Sequence, residues 1–473
     1  MKGIVIGAGI SGLAAAWQLA RAGCDVTVLE RAPRVGGVID SEPCAGYLLE
    51  WGPNSALATS AALVELACDV GLVPVPADPL ARHRYVFRGG RLRRLPRGPF
   101  SLLATGALGL RAKLRLLAEP WRRVEARPDE SVATFFERRF GREFVESVVN
   151  PFVSGVYAGS PDELEMLSAF PRIAEATHEA GSVIRGAMRM ARAARARPSA
   201  PPGSTRGSFS FIDGLEALPA AIAARLGARV QCGVAVESIV PVPVTSPGRA
   251  TCTWEVRASG GDAVQRADVV ILAVPAHAAS TLLSHAARHG HGTAFANALA
   301  SLGIELAAID YAPVAILQLG VAASALPRAL DGFGFLVPAR ERLDILGGIW
   351  ASAVFPGRAP PDHHLVTVLA GGVSHRDLLD LPDDALRARM IAGLTRALGG
   401  KFEPVFHSLR RLPAAIPQYR PGHAARVSRV GALLADLPTV ALAGNYLTGV
   451  SLEQAVRSGA RAAERVRSPA VVR

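Results

Sequence analysis

The first thirty residues constrain the fold of this 473-residue chain more than any other segment. An apolar run at residues 3–6 precedes a glycine-rich segment at residues 7–12, and a helical stretch follows at residues 13–22. A second apolar run at residues 24–29 ends in Glu30. The order strand, glycine turn, helix and strand predicts a βαβ unit that binds a dinucleotide.

Each of the three glycines in this turn has its own structural role. Gly7 permits the tight turn, Gly9 lets a pyrophosphate approach the backbone, and Gly12 lets the helix pack closely on the strand. The start of the helix favours the bound phosphates. Glu30, eighteen residues after Gly12, is placed to accept hydrogen bonds from a ribose.

A second glycine pair, Gly36-Gly37, favours a flavin over a nicotinamide dinucleotide. The pair follows Glu30 and Arg31 closely and resembles the extended fingerprint of FAD-dependent oxidases and desaturases of the amine oxidase superfamily. Near the C-terminus, a strand at residues 440–443, a glycine turn and a helix at residues 451–466 aim another helix N-terminus at the ligand. No cysteine lies near that helix, so the sequence predicts non-covalent FAD.

Composition narrows the class of protein. Half of the residues are hydrophobic and 19% are charged, which predicts a large buried core and two or three domains. Five scattered cysteines without CxxC spacing indicate neither a disulfide framework nor a metal site, and they predict a cytoplasmic protein. A buried apolar strand at residues 267–274 completes an α/β fold whose dinucleotide-binding sheet is assembled from distant segments.

The positive charge is concentrated in one region. Residues 82–206 carry 23 basic and 12 acidic side chains, which accounts for +11 of the total charge of +12. Residues 91–204 read as helical and mix bulky apolar residues with Arg111, Lys113 and Arg115, which suits either a membrane-interface helix or a solvated basic face. The basic segment lacks interleaved aromatic residues, so no nucleic-acid binding is predicted, and no apolar segment is long enough to span a bilayer.

Five further motifs make the chain resemble one family. It resembles the oxygen-dependent protoporphyrinogen oxidases, FAD-containing members of the amine oxidase superfamily, over essentially its whole length. The GFGFLVP and IPQY motifs are the most specific of the five. The motifs are Glu50-Trp51-Gly52-Pro53-Asn54-Ser55, residues 84–90, residues 331–338, Ile416-Pro417-Gln418-Tyr419 with Gly422-His423, and residues 444–450.

The resemblance implies three parts: a discontinuous Rossmann-like FAD-binding domain, a mixed-sheet substrate domain and a helical membrane-binding subdomain. The implied ranges are 1–80, 205–280 and 416–473 for FAD, 81–90 and 281–415 for substrate, and 91–204 for the helical part.

The resemblance also implies roles for individual residues. Arg84 would pair with a propionate of the substrate, while Phe333, Leu336 and Leu369 would sandwich its rings. Asn54 would act catalytically beside the flavin by polarising the substrate or a water. The cofactor-binding residues are expected to be Gly7, Gly9, Ile10, Ser11, Gly12, Glu30, Arg31, Gly36, Gly37, Gly52, Pro53, Asn54, Val234, Gly444, Asn445, Val450 and Ser451.

The implied reaction oxidises protoporphyrinogen IX to protoporphyrin IX, with O2 as acceptor and hydrogen peroxide as product, in haem synthesis. Oxidation of coproporphyrinogen III by the same chemistry is the nearest alternative. A flavin amine oxidase would need a lysine near the flavin, and Lys2, Lys113 and Lys401 lie in no such motif. A non-catalytic flavin or haem-binding protein is a further alternative. The expected setting is the inner face of the cell membrane, with a homodimer and hand-off to a ferrochelatase as further hypotheses.

Overall fold

The computed structural model describes residues 1–57, 61–95, 108–122, 125–196, 207–246, 249–259, 264–290 and 292–467. Within these residues the strands are β1 Lys2–Ile6, β2 Asp25–Glu30, β3 Ser41–Cys44, β4 Tyr47–Glu50, β5 Ala56–Leu57, β6 Val75–Pro76, β7 Arg84–Arg88, β8 Arg91–Arg94, β9 Ser208–Ser210, β10 Val230–Cys232, β11 Val236–Ser246, β12 Arg249–Ala258, β13 Gln265–Ala267, β14 Val269–Leu272, β15 Tyr311–Ala322, β16 Gly334–Leu336, β17 Gly347–Ile349, β18 His363–Gly371, β19 Phe406–Pro417 and β20 Val440–Leu442.

The α-helices surround these strands and form a separate group in the middle of the chain. They are α1 Ile10–Arg21, α2 Ala61–Asp69, α3 Leu110–Ala118, α4 Val132–Phe140, α5 Arg142–Phe144, α6 Asn150–Tyr157, α7 Met166–Ala169, α8 Pro171–Ala180, α9 Val183–Ala196, α10 Ala217–Leu226, α11 Ala276–Arg288, α12 Thr293–Ala307, α13 Ala351–Val354, α14 Asp383–Leu398, α15 His423–Ala435, α16 Asn445–Thr448 and α17 Leu452–Arg467. A π-helical turn, Val145–Val149, joins α5 to α6.

A five-stranded parallel sheet carries the predicted dinucleotide fold. Its strand order is β10-β2-β1-β14-β20, so strands from the beginning, middle and end of the chain are neighbours. Helices α1, α10 and α17 cover one face, while the β11-β12-β13 sheet and helices α11 and α12 cover the other. Both faces are therefore buried, as a parallel sheet requires, and the predicted α/β class is confirmed.

A seven-stranded mixed sheet forms the second large unit, in the order β19-β15-β18-β17-β16-β7-β8. Strands β7 and β16 pair in parallel, and the other neighbours pair antiparallel. Helix α14 packs against one face through the core that contains Leu386 and Met390. The opposite face stays available for the site described below.

Helices α3 to α9 make up the third unit, around a core of aromatic side chains on α4 and its neighbours. Residues 96–107, 123–124 and 197–204 of the predicted helical region lie outside the described residues. Among the helices that the structure describes, none combines the length and apolarity needed to cross a membrane. This unit therefore has a compact helical core, and its predicted contact with a membrane stays a prediction.

Several of the predicted domain boundaries fall inside a hairpin, a helix or a strand. The boundary at 90/91 divides the β7–β8 hairpin, the one at 280/281 divides α11, and the one at 415/416 divides β19. Backbone pairing in the hairpin and packing of α11 on the parallel sheet hold these elements together across the predicted boundaries. The functional assignment of the three units stays a prediction.

Candidate active site

The first glycine turn lies between the end of β1 and the start of α1. A Cβ atom at Gly12 would stand 2.0 Å from the carbonyl oxygen of Gly7, whereas a Cβ at Gly9 would meet nothing within 4 Å. Gly12 is therefore required by the fold, and Gly9 leaves open space beside the N-terminus of α1. Open space against free backbone amides fits the pyrophosphate of a dinucleotide.

The second glycine pair closes over this space. The amide of Gly36 donates to the carbonyl of Ala8 at 2.9 Å, and Gly9 and Gly36 form a parallel bridge. A Cβ at Gly37 would stand 3.3 Å from the Cα of Gly9. The guanidinium of Arg34 donates to the carbonyl of Gly37 at 3.0 Å and fixes the loop. The two glycine motifs thus form one backbone-lined cradle.

The structure places the carboxylate of Glu30 at the tip of β2 but gives it protein partners. It accepts the amides of Ala8 at 2.7 Å and Ala32 at 2.8 Å. Each oxygen keeps capacity for a further donor, so the predicted ribose contact stays compatible with this geometry. The amide of Val234 donates to the carbonyl of Glu30 at 2.8 Å, which leaves only the backbone carbonyl of Val234 for the predicted cofactor contact.

The C-terminal glycine turn meets the same cradle from the other side. Residues 444–451 connect β20 to α17, and the amide of Gly444 donates to the hydroxyl of Ser458 at 3.0 Å. A Cβ at Gly459 would stand 2.0 Å from the carbonyl of Ser11, so α17 packs directly on α1. The predicted cofactor segments at the two ends of the chain are therefore brought together.

One face of the seven-stranded sheet collects the predicted substrate residues. In the register, Arg84 lies opposite Gly334, and Gly347 lies between Leu336 and Leu369 on its two neighbouring strands. Residues opposite one another share a face, and so do residues two apart on one strand. Arg84, Leu336 and Leu369 therefore line one surface, and glycine at position 347 leaves a shallow gap between the two leucines.

Phe333 extends this surface toward Arg84, whose guanidinium carbon lies 4.4 Å from the centre of the phenyl ring. Arg84 is exposed, and it forms no ion pair with an acidic residue in the part of the chain that the structure describes. Neighbouring atoms bury part of the guanidinium and lower its pKa. The result is an apolar face that ends in an exposed cation without a carboxylate partner, which suits an acidic ligand with an apolar body.

The helical unit covers part of this face. A Cβ at Gly155 on α6 would stand 2.3 Å from Cδ2 of Leu336, so α6 and β16 are in close contact. On the same side of α6 as Gly155, Phe152 and Val156 are exposed. These two apolar side chains were not singled out in the sequence, because an apolar residue in a helix is ordinarily core.

Asn54 is the first of three polar side chains that are connected by hydrogen bonds. Its amide nitrogen donates to the carbonyl of Gly52 at 3.3 Å, and its oxygen lies 3.3 Å from the hydroxyl of Thr367. Thr367 also donates to Gln318 at 2.8 Å, and Gln318 donates to the backbone carbonyl of Glu50 at 2.7 Å. Thr367 and Gln318 are fully buried. The amide of Asn54 is thus held at the edge of the apolar face.

The comparisons with known proteins agree with this arrangement. The sequence profile of the flavin containing amine oxidoreductases matches residues 10–467. The chain belongs to this family. It is therefore an FAD-dependent oxidoreductase, and the glycine cradle and the turn before α17 fit that cofactor.

Comparison with curated relatives shows which members of the family the chain resembles. The chain is 31% identical to protoporphyrinogen oxidase 2, chloroplastic/mitochondrial, of Arabidopsis thaliana, over 98% of this chain and 93% of the relative. It is 27% identical to the coproporphyrinogen III oxidase of Bacillus subtilis, over 95% of this chain and 93% of the relative. The predicted resemblance to the protoporphyrinogen oxidases is confirmed.

Solved structures support the same fold. A protein of Exiguobacterium sp. 255-15, provisionally named a protoporphyrinogen oxidase, superimposes with a TM-score of 0.78 at 24% identity and 98% coverage of both chains. At this level of identity the similarity establishes the fold alone.

Two charged residues of this family member were missed as site residues. Glu50 and Arg358 line a narrow cavity together with Asn54 and Phe333. Their side chains are 3.3 Å apart and almost fully buried, and the Glu50 carboxylate also accepts the Ser41 hydroxyl at 2.7 Å. Burial raises the pKa of Glu50 to about 7, although Arg358 opposes the shift.

Sequence signals for this pair differ. Glu50 stands inside the EWGPNS motif, where it served only to mark the family. Arg358 stands in a loop after Gly357 and carries no spacing signal. In the fold, Arg358 supplies the counter-charge that a buried carboxylate needs.

Proposed function

We propose that the chain oxidises protoporphyrinogen IX to protoporphyrin IX, with O2 as the electron acceptor and hydrogen peroxide as the product. The observation that carries the proposal is the apolar face of Phe333, Leu336 and Leu369 that ends in Arg84. A porphyrinogen is an apolar disc with propionate groups, so it needs apolar contacts on its faces and a cation at its edge.

The protein's main task in this reaction is to bind and orient the macrocycle. Leu336 and Leu369 share one surface of the sheet and contact one face of the ring, so they do not enclose it from both sides as predicted. Phe333 contacts the edge of the ring, and Arg84 pairs with a propionate and so fixes the rotation of the disc. The amide of Asn54 orients the substrate or a water, and α6 limits the access of solvent. FAD, when bound, accepts the electrons that leave the substrate.

The cofactor is held by the backbone cradle and the C-terminal turn. Gly9, Ile10 and Ser11 take the pyrophosphate at the start of α1, and Glu30 takes the ribose. The segments Gly36-Gly37, Gly52-Pro53 and residues 444–451 enclose the remainder, with Arg31 at the open edge. None of these residues supplies a covalent link.

Oxidation of coproporphyrinogen III is the second candidate. Two further arginines of β8, Arg91 and Arg93, lie opposite Arg88 and Val86 and therefore share the face of Arg84. They give the edge of the face more positive charge than one propionate needs, which suits a substrate with four carboxylates. The coproporphyrinogen III oxidase among the relatives favours the same possibility.

Anaerobic mixing of the purified yellow protein with each porphyrinogen tests both candidates. We expect protoporphyrinogen IX to bleach the flavin absorbance faster than coproporphyrinogen III, with protoporphyrin fluorescence after oxygen is admitted. Faster bleaching by coproporphyrinogen III would move the enzyme to the second candidate. Absence of bleaching by either would contradict the tetrapyrrole assignment.

The helical unit also supports a peripheral contact with an anionic membrane. Leu110, Leu114, Leu117 and Trp121 follow one side of α3 and the turn after it, and Leu110 is 74% and Trp121 77% exposed. The adjoining helix α9 begins where Glu119 accepts the amide of Val183 at 2.7 Å. An exposed apolar stripe suits the lipid interface.

Helix α9 continues this surface with positive charge. Arg185, Arg189 and Arg192 border one groove with Met188. Basic side chains beside an apolar stripe suit anionic headgroups. We therefore propose a position on the inner face of the cell membrane, in the cytoplasm; a homodimer and hand-off to a ferrochelatase stay predictions.

Sedimentation with vesicles tests this contact. We expect binding to vesicles of phosphatidylcholine with phosphatidylglycerol, and little binding to phosphatidylcholine alone. Trp121→Gln combined with Leu114→Gln should abolish binding, whereas Val405→Gln, which changes another exposed apolar residue, should not. Equal binding by the double variant would contradict the contact.

A further inference from the structure

The IPQY motif, residues 416–419, marks the family but has no part in the proposed site. We propose that Tyr419 is a positioning residue that holds the turn at residues 444–450 in its FAD-binding shape. The inference rests on the FAD dependence in the proposed function and adds a residue through which the helical unit acts on the cofactor site.

The hydroxyl of Tyr419 joins both ends of the short helix α16 within this turn. It donates to the carbonyl of Asn445 and accepts the amide of Gly449 at 2.8 Å. Tyr419 is fully buried, so water does not replace either bond. Removing the hydroxyl would leave a backbone donor and a backbone acceptor of the turn without partners, which is costly in a buried place.

The position of Tyr419 is fixed from the helical unit and not from the parallel sheet. Its carbonyl accepts the amide of Glu165 at 2.7 Å. Its ring stands edge-on to Tyr157, with the ring centres 5.9 Å apart. The neighbouring Gln418 donates to the carbonyl of Tyr157 at 2.8 Å. Tyr419 lies between β19 and α15, and these contacts with the helical unit fix the position of its hydroxyl.

Two more contacts connect the same two parts. The carboxylate of Glu165 accepts the amide of Ala424 at 2.8 Å, at the start of α15. The ring of Tyr419 stacks on His423 at a distance of 4.4 Å between centres. Burial lowers the pKa of His423 to about 4, so the imidazole stays neutral near neutral pH. The ring that stacks on Tyr419 therefore carries no charge near neutral pH.

The turn held in this way contains residues assigned to the cofactor. Gly444 and Asn445 stand at its beginning, and Val450 and Ser451 follow Gly449 at its end. A shift of Gly449 would move Val450 and the N-terminus of α17 with it, because the chain is continuous there. Tyr419 acts on FAD only through these backbone groups and does not need to touch it.

The test compares Tyr419→Phe with Tyr157→Phe. Both changes remove one buried hydroxyl from the same aromatic cluster, and the hydroxyl of Tyr157 donates to the carbonyl of Ala169 at 2.7 Å, inside the helical unit. Three properties are measured for each variant without porphyrinogen: the dissociation constant of FAD, and the visible absorption spectrum and midpoint potential of the bound flavin.

We expect Tyr419→Phe to raise the dissociation constant of FAD about tenfold and to change the flavin spectrum or potential, because two hydrogen bonds of the turn are lost. Tyr157→Phe should lower thermal stability to a similar extent and leave FAD affinity and spectrum unchanged. Equal FAD affinities in the two variants would overturn the proposal. Failure of the porphyrinogen assay would leave this measurement unaffected, so the two hypotheses fail separately.

The native holoenzyme gives a second test that does not depend on a folded variant. If Tyr419 holds the turn, the amide hydrogen of Gly449 should exchange with solvent as slowly as the amides of β20. Fast exchange at Gly449 beside slow exchange in β20 would show that the hydrogen bond does not hold the turn, and the proposal would be wrong.

Discussion

The two sides of the candidate active site, called the flavin side and the substrate side after the proposed function, consist of different chemical groups. The flavin side consists mainly of backbone groups, and its first part lies within the local segment of residues 7–37. The substrate side consists of side chains from three strands, with Arg84, Leu336 and Leu369 far apart in the sequence. A site made of backbone depends on where side chains are absent, whereas a site made of side chains depends on the register of a sheet.

This difference decides which residues tolerate change. In the flavin cradle an added methyl group either collides with backbone or occupies the ligand's space. On the substrate face a changed side chain alters affinity while the sheet keeps its hydrogen bonds. The following predictions test the distinction, beginning with the largest expected effect.

Gly12→Ala and Gly9→Ala should separate the fold from the ligand within one turn. A Cβ at position 12 would stand 2.0 Å from a carbonyl oxygen, so we expect Gly12→Ala to lower the free energy of unfolding by about 3 kcal/mol or more. Gly9→Ala should keep the stability of the apoprotein and lose affinity for FAD. Thermal unfolding and FAD titration measure the two effects.

Equal losses of stability in the two glycine variants would contradict this division. It would mean that the space beside Gly9 belongs to the packing of α1 and not to the cofactor. Normal FAD affinity in Gly9→Ala would contradict the assignment of the pyrophosphate to this space.

Glu50 lies where the two sides meet, and its titration should change stability. Its pKa is raised from the unfolded value of 4.5 to about 7, so the folded protein binds more protons between these values. Its contribution to stability is present below pH 4.5 and is lost as the pH rises through 7. Between pH 4.5 and 7, the free energy of unfolding of the native protein should fall by up to about 3 kcal/mol relative to that of Glu50→Gln.

Glu305→Gln is the matched control with the opposite sign. The guanidiniums of Arg429 and Arg426 lower the pKa of Glu305, so its contribution is present above the unfolded pKa and is lost as the pH falls through the lowered value. Urea unfolding from well below pH 4.5 to above pH 7 measures all three proteins, because the two contributions change on opposite sides of pH 4.5. A constant difference between native protein and Glu50→Gln would mean that Glu50 keeps an ordinary pKa.

The sequence predicted the flavin side better than the substrate side for a physical reason. The spacing of Gly7, Gly9 and Gly12 is a local requirement of one turn, and it can be recognised without the rest of the fold. The bond between Glu30 and the Ala8 amide could not be recognised, because it follows from the pairing of β1 with β2, and the hydrogen bond of Val234 follows from packing of β10 and its loop on β2. Spacing along the chain carries no information about such neighbours.

On the substrate side the residues came from resemblance to a family and not from pattern. Nothing in the sequence states that Leu336 and Leu369 flank Gly347, since that follows from the register of β16, β17 and β18. Arg358 was missed because its partner, Glu50, lies about three hundred residues away in the chain and meets it only in the folded core. The hairpin arginines show the same limit, because β8 was assigned to the helical part.

Arg84→Ala should affect substrate binding and leave the flavin side intact. Loss of a charge-assisted contact to a propionate costs about 2 kcal/mol, so we expect the Michaelis constant to rise roughly 10- to 100-fold. The flavin spectrum and FAD affinity should stay as in the native protein. Steady-state kinetics with protoporphyrinogen IX measures the effect.

Arg91→Ala serves as the control on the same hairpin. It removes an exposed arginine from β8, and a smaller rise in the Michaelis constant is expected. If Arg84→Ala leaves the constant unchanged, Arg84 is a surface charge that packs on Phe333 and has no role toward the substrate.

Thr367→Val should give the smallest effect and locate the boundary between the two sides. The change keeps the shape of the side chain but removes the hydroxyl that lies between Asn54 and Gln318. Loss of one buried hydrogen bond costs about 1 kcal/mol. Asn54 stays present in this variant but loses the hydrogen bond that orients its amide. We therefore expect kcat to fall several-fold while the Michaelis constant changes little.

Thr177→Val is the control that distinguishes a loss of Asn54 orientation from a general loss of stability. Thr177 is as deeply buried as Thr367, and its hydroxyl donates to the carbonyl of Ile173 at 2.6 Å within the helical unit. A similar loss of stability without a change in kcat is expected there. Equal kcat values in the two threonine variants would mean that Asn54 needs no support from β18. The polar chain would then belong to the core of the sheet, and the substrate side would end at its apolar residues and Arg84.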